Sequence, residues 1–289
     1  MAPMTWLGSS AALAILSFDV DAESAILAEG RKYAGYPSVM SHQRYGPLVG
    51  VPRILAMLED LGVTATFFVP GWTAEQYPRT VELVLEAGHE VAHHGHSHIS
   101  PVRMTGEEER RDIEAGLAAL ERLGVRPAGY RTPSWEPSPR TFDLLAEYGL
   151  GYDSTLMDDD KPYVLETAHG SLVELPAHWG LDDWSQYMHL PAPRSGSGTV
   201  HPPSRAIAVW QEELDGMRRH GCLWVLTMHP FLSGRPGRVE ALRGLVEYAL
   251  GCGDVELVSC AEAARRVRSD ESLPRRPLPV LELGSIYPE

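Results

Sequence analysis

Lysine is almost missing from this chain: Lys32 and Lys161 are the only lysines among 25 basic residues, and both stand among polar or turn residues. No G-K-[ST] phosphate loop can be drawn and no lysine is placed for Schiff-base chemistry, which removes two large enzyme classes. Positive charge as a whole is short. Asp and Glu number 39 against 25 Lys and Arg, a formal charge of −14. A nonspecific hold on nucleic acid or on an anionic membrane surface would have to overcome that field, and neither is expected as a partner. Cysteine is scarce too. Cys222, Cys252 and Cys260 are odd in number, lack metal-ligand spacing and lie in or beside apolar runs, the pattern of buried thiols in a reducing compartment. Long apolar runs are absent: no stretch approaches the ~20 residues of a membrane span. Residues 11–16 follow no basic residue and run into Ser17-Phe18-Asp19-Val20-Asp21 rather than a small-residue cleavage site, so they read as a strand and not as a signal peptide. A cytoplasmic protein is expected.

What is present is ordinary in bulk: 289 residues, 44% hydrophobic and 22% charged, are enough for one large core. Short runs rich in Val, Phe, Leu and Ile alternate with longer segments whose apolar residues recur at three- and four-residue spacing. Strands are predicted over 13–20, 65–70, 90–94, 128–132, 151–156, 172–176, 223–229 and 255–259. Helices are predicted over 49–61, 75–87, 106–123, 139–148, 205–220, 237–249 and 261–267. That alternation predicts an α/β fold of parallel strands joined by helical crossovers. Gly62, Gly88, Gly124, Gly149 and Gly221 stand where a left-handed residue would end a helix. Two stretches break the rhythm, 31–46 and 182–204, the second containing Ser195-Gly196-Ser197-Gly198; both are long enough for lids or binding loops. With no internal repeat and no linker, a single domain is expected over 1–272, followed by a proline-rich arm, 273–289, over the surface or onto a neighbouring subunit.

In βα folds chemistry collects at the carboxyl ends of the strands, so polar residues interrupting those ends are the informative ones. The first strand ends Phe18-Asp19-Val20-Asp21, where a period of two puts both carboxylates on one face; like charges that close call for a cation, a shared proton or water. The third runs Glu90-Val91-Ala92-His93-His94-Gly95-His96-Ser97-His98, four of the chain's 12 histidines within six positions. Neutral imidazole suits zinc-like cations, and two histidines plus a carboxylate with open positions is a common catalytic arrangement. Spacing alone does not choose the pair. His94, His96 and His98 share a face if the strand continues, whereas His94 and His98 converge if the chain coils after Gly95. Arg131, charged within the fourth strand, needs a carboxylate or an aromatic face, and Asp19 would suit it, as part of a site or as a structural ion pair. His229 ends an apolar strand and is placed for proton transfer near neutral pH. Asp153, Trp135, His178, Trp179 and the run Asp182-Asp183-Trp184 are expected to rim the same mouth. The aromatics would suit a sugar face and a flat imide ring equally.

Five motifs stand in order along the chain: Asp19-Val20-Asp21, His94 to His98, Arg131-Thr132-Pro133, Asp153-Ser154 and Leu226-Thr227-Met228-His229. In that order they resemble the polysaccharide deacetylase family, also called the NodB-homology or carbohydrate esterase family four group, from Leu16 to about Pro236. The resemblance implies a NodB-like distorted (β/α) barrel with fewer than eight βα units, and metal-dependent hydrolysis of an N-acetyl or related C–N bond. It implies Asp19 as catalytic base, Asp21, His94 and His98 as metal ligands, Arg131 as the arginine orienting the base, His229 as general acid and Asp153 as the carboxylate polarising it. A divalent metal is expected, Zn2+ first by ligand type, with Co2+, Ni2+, Fe2+ or Mn2+ compatible. Trp135, His178, Trp179 and Trp184 are expected to bind substrate.

The family's usual form has adjacent aspartates followed by Gly-Pro; here Val20 separates them and Ala22-Glu23 follows. This spaced version looks like the subgroup of cytoplasmic peptidoglycan-deacetylase-like proteins, cyclic imide hydrolases and allantoinase-like enzymes. The main expectation is removal of an acetyl group from an N-acetylated sugar or related small amide. Alternatives are the opening of a cyclic imide or hydantoin-type ring, with or without a metal, and a noncatalytic small-molecule or sugar-binding module. The two long irregular segments and the proline-rich arm suit a homo-oligomer whose neighbours close the pocket.

Overall fold

Ala12–Asp19 forms β1, buried along its whole length, and a strand hidden on both faces needs the near-continuous apolar run Ala-Leu-Ala-Ile-Leu found here. In this computed structural model residues 5–190 and 198–278 are described. The further strands are β2 (Thr66–Val69), β3 (Glu90–His93), β4 (Gly129–Tyr130), β5 (Tyr152–Asp153), β6 (Tyr163–Thr167), β7 (Gly170–Glu174), β8 (Leu223–Met228), β9 (Val255–Leu257) and β10 (Arg275–Pro277). They form one sheet in the order β10-β6-β7-β5-β4-β3-β2-β1-β8, with β9 also paired to β1. Every pairing is parallel except the β6–β7 hairpin. The ladder does not close, but a lone parallel bridge between Asp182 and Thr227 draws the segment after β7 against β8. The result is the expected distorted (β/α) barrel. No helix among the described residues is long and apolar enough to cross a membrane.

Residue parity along β1 decides what the barrel holds. Ala14, Leu16 and Phe18 face outward into the core shared with helices such as Val51–Leu61 and Pro203–His220. Leu13 and Ile15 face inward with Phe68, Tyr152, Val173 and Val225. Continuing the inward parity brings Ser17, Asp19 and, just past the strand, Asp21 to the carboxyl end of the barrel interior.

The helices fall where the periodicity places them, at Val51–Leu61, Pro78–Glu86, Gly106–Glu121, Thr141–Glu147, Pro203–His220, Pro236–Gly251 and Cys260–Arg268. All five glycine stops have positive φ. A Thr105/Glu108 capping box starts the helix Gly106–Glu121. Part of 31–46, read as irregular, is a helix, Pro37–Tyr45, that runs through a π-helical turn, Gly46–Gly50, into Val51–Leu61. The two glycines look like breakers in the sequence but serve close packing: a Cβ on Gly50 would overlap the carbonyl oxygen of Pro230, next to His229. Strands β6 and β10 were not anticipated. β10 is an edge strand of sequence Arg-Arg-Pro, and β6, paired between β10 and β7, buries Tyr163, Val164 and Leu165 in succession, so neither gives an alternating pattern; β10 takes up 275–277 of the expected arm. Residues 279–289 of that arm lie outside the described residues, as do 191–197 of the second irregular stretch, including most of the Ser-Gly tract. Within that stretch Trp184–Tyr187 is a short helix. Cys222, Cys252 and Cys260 are free thiols.

Candidate active site

Strand β3 ends at His93, and Gly95 turns the chain with φ +67, so the coil geometry is adopted rather than the continued strand. It brings His94 Nε2 to 3.5 Å from Asp21 Oδ1 and His98 Nε2 to 3.3 Å from Asp21 Oδ2. One candidate ligand atom from each of these three buried residues lies within 4.8 Å of the others. His96 turns away to line a neighbouring groove, and His93 is buried with Nε2 at 3.2 Å from the Ile113 carbonyl. His94 Nδ1 donates to the Arg131 carbonyl at 2.7 Å, which leaves the Nε2 lone pair directed at Asp21. Burial holds His94 below the usual imidazole range, in the neutral form that can ligate. Burial pushes the Asp21 carboxyl up, but His98, His229 and His94 around it prevail and hold it at about 2. Both Asp21 oxygens are buried, and among the described residues no donor meets either with hydrogen-bond geometry. Such a carboxylate is costly unless a cation meets it, and the Asp-His-His donor set fits a zinc-like ion.

Asp19 is held from the opposite side. Fully buried Arg131 donates from Nη1 to Asp19 Oδ1 at 2.8 Å and to Ser17 Oγ at 2.9 Å, while Nε and Nη2 donate to the Ser154 carbonyl and hydroxyl at 3.1 Å. Its guanidinium lies between the rings of Phe68, 4.1 Å away, and Trp135, 5.0 Å away. The other Asp19 oxygen, Oδ2, stands 3.9 Å from His94 Nε2.

His229 completes the ring, with Nε2 at 3.6 Å from Asp21 Oδ2. Its Nδ1 donates to Asp183 Oδ1 at 2.7 Å; Asp183 Oδ2 accepts the His229 backbone N–H at 2.9 Å and the Ser233 hydroxyl. Burial works against the imidazolium, but Asp183, Asp182 and Asp21 outweigh it, so His229 stays charged well above its ordinary 6.5. Asp182 is pushed up to about 6, chiefly by burial, and accepts the Trp135 indole N–H at 2.8 Å. A cavity of about 330 Å³ opens over these groups, walled by Trp135, Trp179 and Trp184, with Trp179 61% exposed at its mouth.

Two expected residues lie elsewhere. Asp153 makes no contact with His229: it sits on β5 in register with Glu174 of β7, and Asp183 occupies the position against His229 Nδ1. His178 turns back to accept the Gly180 N–H at Nδ1, 3.1 Å, and lines a separate small cavity with Met157, Asp160 and Leu223. The sequence had marked Asp182 and Asp183 only as rim residues, and nothing in their spacing pairs them with His229.

Asp153 instead belongs to a buried carboxyl pair. Thr155 Oγ1 donates to Asp153 Oδ1 at 2.9 Å, the Thr155 and Leu156 N–H groups donate to Glu174 Oε1, and Asp153 Oδ2 and Glu174 Oε2 have no other donor. Burial raises Asp153 to about 6, and burial with the neighbouring Asp153 raises Glu174 well above its usual range, so the pair retains a proton. The folded state therefore binds that proton more tightly than the unfolded chain. Its stabilisation is complete below the ordinary carboxyl range and is lost as pH rises through about 6 for Asp153 and on through the raised range of Glu174. Glu174→Gln keeps the acceptor for both N–H groups and gives Asp153 a permanent donor. Its Tm relative to wild type is expected to rise between pH 5 and pH 8; a difference independent of pH would contradict the shared proton.

The polysaccharide deacetylase family model matches residues 45–152. The chain is 47% identical to a Mycobacterium smegmatis protein classed with the polysaccharide deacetylases, whose crystal structure superposes with a TM-score of 0.93 over 98% of this chain and 99% of that one. It is 29% identical over 288 residues to the peptidoglycan deacetylase of Helicobacter pylori, covering 90% of this chain and 95% of that protein. The fold is also that of an allantoinase structure, with a TM-score of 0.80 at 22% identity over 92% and 93% of the two chains. With its barrel, its motif order and a near full-length relative at 47% identity, the chain belongs to the polysaccharide deacetylase family.

Proposed function

We propose that this chain is a metal-dependent hydrolase of non-peptide carbon–nitrogen bonds that removes an acetyl group from an N-acetylated sugar or a related small amide. The observation that carries the reading is the Asp21 carboxylate, buried between His94 and His98 with no hydrogen-bond donor to it among the described residues, and flanked by Asp19 and by a charged His229. Asp21, His94 and His98 would hold a divalent cation, zinc first, which when bound supplies a Lewis acid for the carbonyl oxygen and for water. Asp19, fixed at Oδ1 by Arg131, turns Oδ2 to the cavity and takes the proton of the attacking water. As the C–N bond breaks, His229 gives its Nε2 proton to the departing nitrogen, which otherwise leaves poorly as an anion. Asp183 holds the Nδ1–H, so Nε2 is the nitrogen presented to the cavity. The indoles of Trp135, Trp179 and Trp184 offer flat faces to a sugar ring.

The peptidoglycan-deacetylase relative favours an N-acetyl sugar, which this reading takes as a small or precursor sugar in the cytoplasm. A catalytic unit over 1–272 and a homo-oligomer belong to the same reading, with the start of the expected arm taken up by β10 in this chain's own sheet. Ring opening of a cyclic imide or hydantoin would use the same base and acid. The cavity of about 330 Å³, enough for one ring, is the observation that keeps it as second reading. The test is a panel of N-acetylglucosamine monomers and oligomers beside succinimide- and hydantoin-type compounds. Acetate release from the sugars is the expected result; turnover of the rings with none of the sugars would replace the first reading by the second.

A further inference from the structure

Among the described residues, those other than glycine with a left-handed φ are Ala22, His98, Ser134 and Trp135. His98, Ser134 and Trp135 line the active cavity, and Ala22 directly follows Asp21. Conformations of this kind persist where the surroundings over-determine them. At Ala22, with φ +51, the methyl side chain offers no polar anchor, so the restraint must come from its neighbours.

Those neighbours are clamped on both sides. The Asp21 carbonyl accepts the Ser24 hydroxyl at 2.6 Å, the Thr73 hydroxyl at 2.8 Å and the Ser24 N–H at 3.2 Å. Glu23, 4% exposed, accepts the Tyr77 hydroxyl at 2.8 Å on each carboxylate oxygen and the Arg44 Nε–H at 2.9 Å. Thr73 and Tyr77 are one helical turn apart, with the Tyr77 N–H donating to the Thr73 carbonyl at 2.8 Å. One helix, Gly71–Gln76 with its C-terminal Tyr77, thus grips residues 21 and 23 and leaves Ala22 to make the turn between them. Burial and Glu23 push the Tyr77 phenol up to about 12, so it stays a donor at neutral pH. Glu23, Tyr77 and Arg44 are not among the residues that line the cavity.

We propose that Glu23, clamped by Tyr77 and Arg44, is a positioning residue for the metal site: it holds the left-handed turn at Ala22 that aims the Asp21 carboxylate between His94 and His98. The inference rests on the metal reading above and adds a group outside the ligand set to it. With the clamp gone, Ala22 relaxes toward an ordinary φ and the Asp21 carboxylate swings off the two imidazoles. Partners that orient ligands in this way change metal affinity by about 10–100-fold.

The experiment is a zinc titration of the purified full chain against a chromophoric chelator, for wild type, Glu23→Gln and Tyr77→Phe, with Tm of each metal-free protein alongside. The zinc Kd is expected to rise about 10–100-fold in Glu23→Gln and by a smaller factor in Tyr77→Phe, with the metal-free Tm of Tyr77→Phe near wild type. Adding Ala22→Gly to Glu23→Gln is expected to recover part of the loss, because glycine enters the left-handed region without a clamp. Wild-type Kd values in both variants would overturn the proposal, and so would a loss of affinity matched by collapse of the metal-free Tm in both. A wild-type protein that takes up no zinc would overturn the metal reading itself.

Discussion

His229→Ala is expected to lower kcat by about 10²–10⁴-fold while leaving the metal content at the wild-type level. The two readouts separate because His229 does two things that can be measured apart. Its Nε2 faces Asp21 from 3.6 Å, close enough to share the site, but its Nδ1 is committed to Asp183, and the carboxylates of Asp183, Asp182 and Asp21 outweigh burial and keep the ring protonated. A protonated imidazole is an acid and not a ligand. Loss of metal in the variant would therefore recast His229 as part of the ligand set, and full activity would remove it from the mechanism. Asp183→Asn is the companion variant. It keeps the shape and removes the charge that sustains the imidazolium, so the alkaline limb of the rate profile is expected to move to lower pH. An unmoved limb would contradict the role of Asp183.

Arg131→Met is expected to cost about 3–5 kcal/mol of stability, because it leaves the Asp19 carboxylate buried without its cation. The cost arises less from the lost attraction than from the stranded charge. The double variant Arg131→Met with Asp19→Asn should accordingly recover most of the loss, in denaturant unfolding of the metal-free protein. If Arg131→Met alone unfolds within about 1 kcal/mol of wild type, the pair is not the anchor of this end of the barrel. Asp19→Asn alone should fold and lack activity.

What the sequence made legible was the part of the site written into strands. Asp19 and Asp21 share the inward parity of Leu13 and Ile15, so a period of two was enough to put them together at the barrel's carboxyl end. Arg131 and His229 interrupt or end apolar strands, and that interruption is visible without a structure. The choice of His94 and His98 over His96 turned on one backbone angle at Gly95, which spacing could not supply. Asp183 was not legible as the partner of His229. Their contact depends on the bridge between Asp182 and Thr227, which brings the segment after β7 to β8 across 45 residues of sequence separation, and no local pattern encodes it. His178 was misplaced for a related reason: an extended residue followed by Gly180 can turn its ring back onto the next turn, and the aromatic run around it gave no sign of that. Strands β6 and β10 lack the alternation by which strands are read: β6 opens with three buried residues in a row, and the edge strand β10 is Arg-Arg-Pro.

The central claim is that Asp21, His94 and His98 hold a catalytic cation, and the most direct measurement is the metal content of protein purified without a metal-affinity tag, beside His94→Ala. About one zinc-like ion per chain in wild type, lost in the variant, is the result these three side chains predict. Wild-type protein that carries no metal, takes up none on addition of zinc, cobalt or nickel, and still hydrolyses its substrate would contradict it.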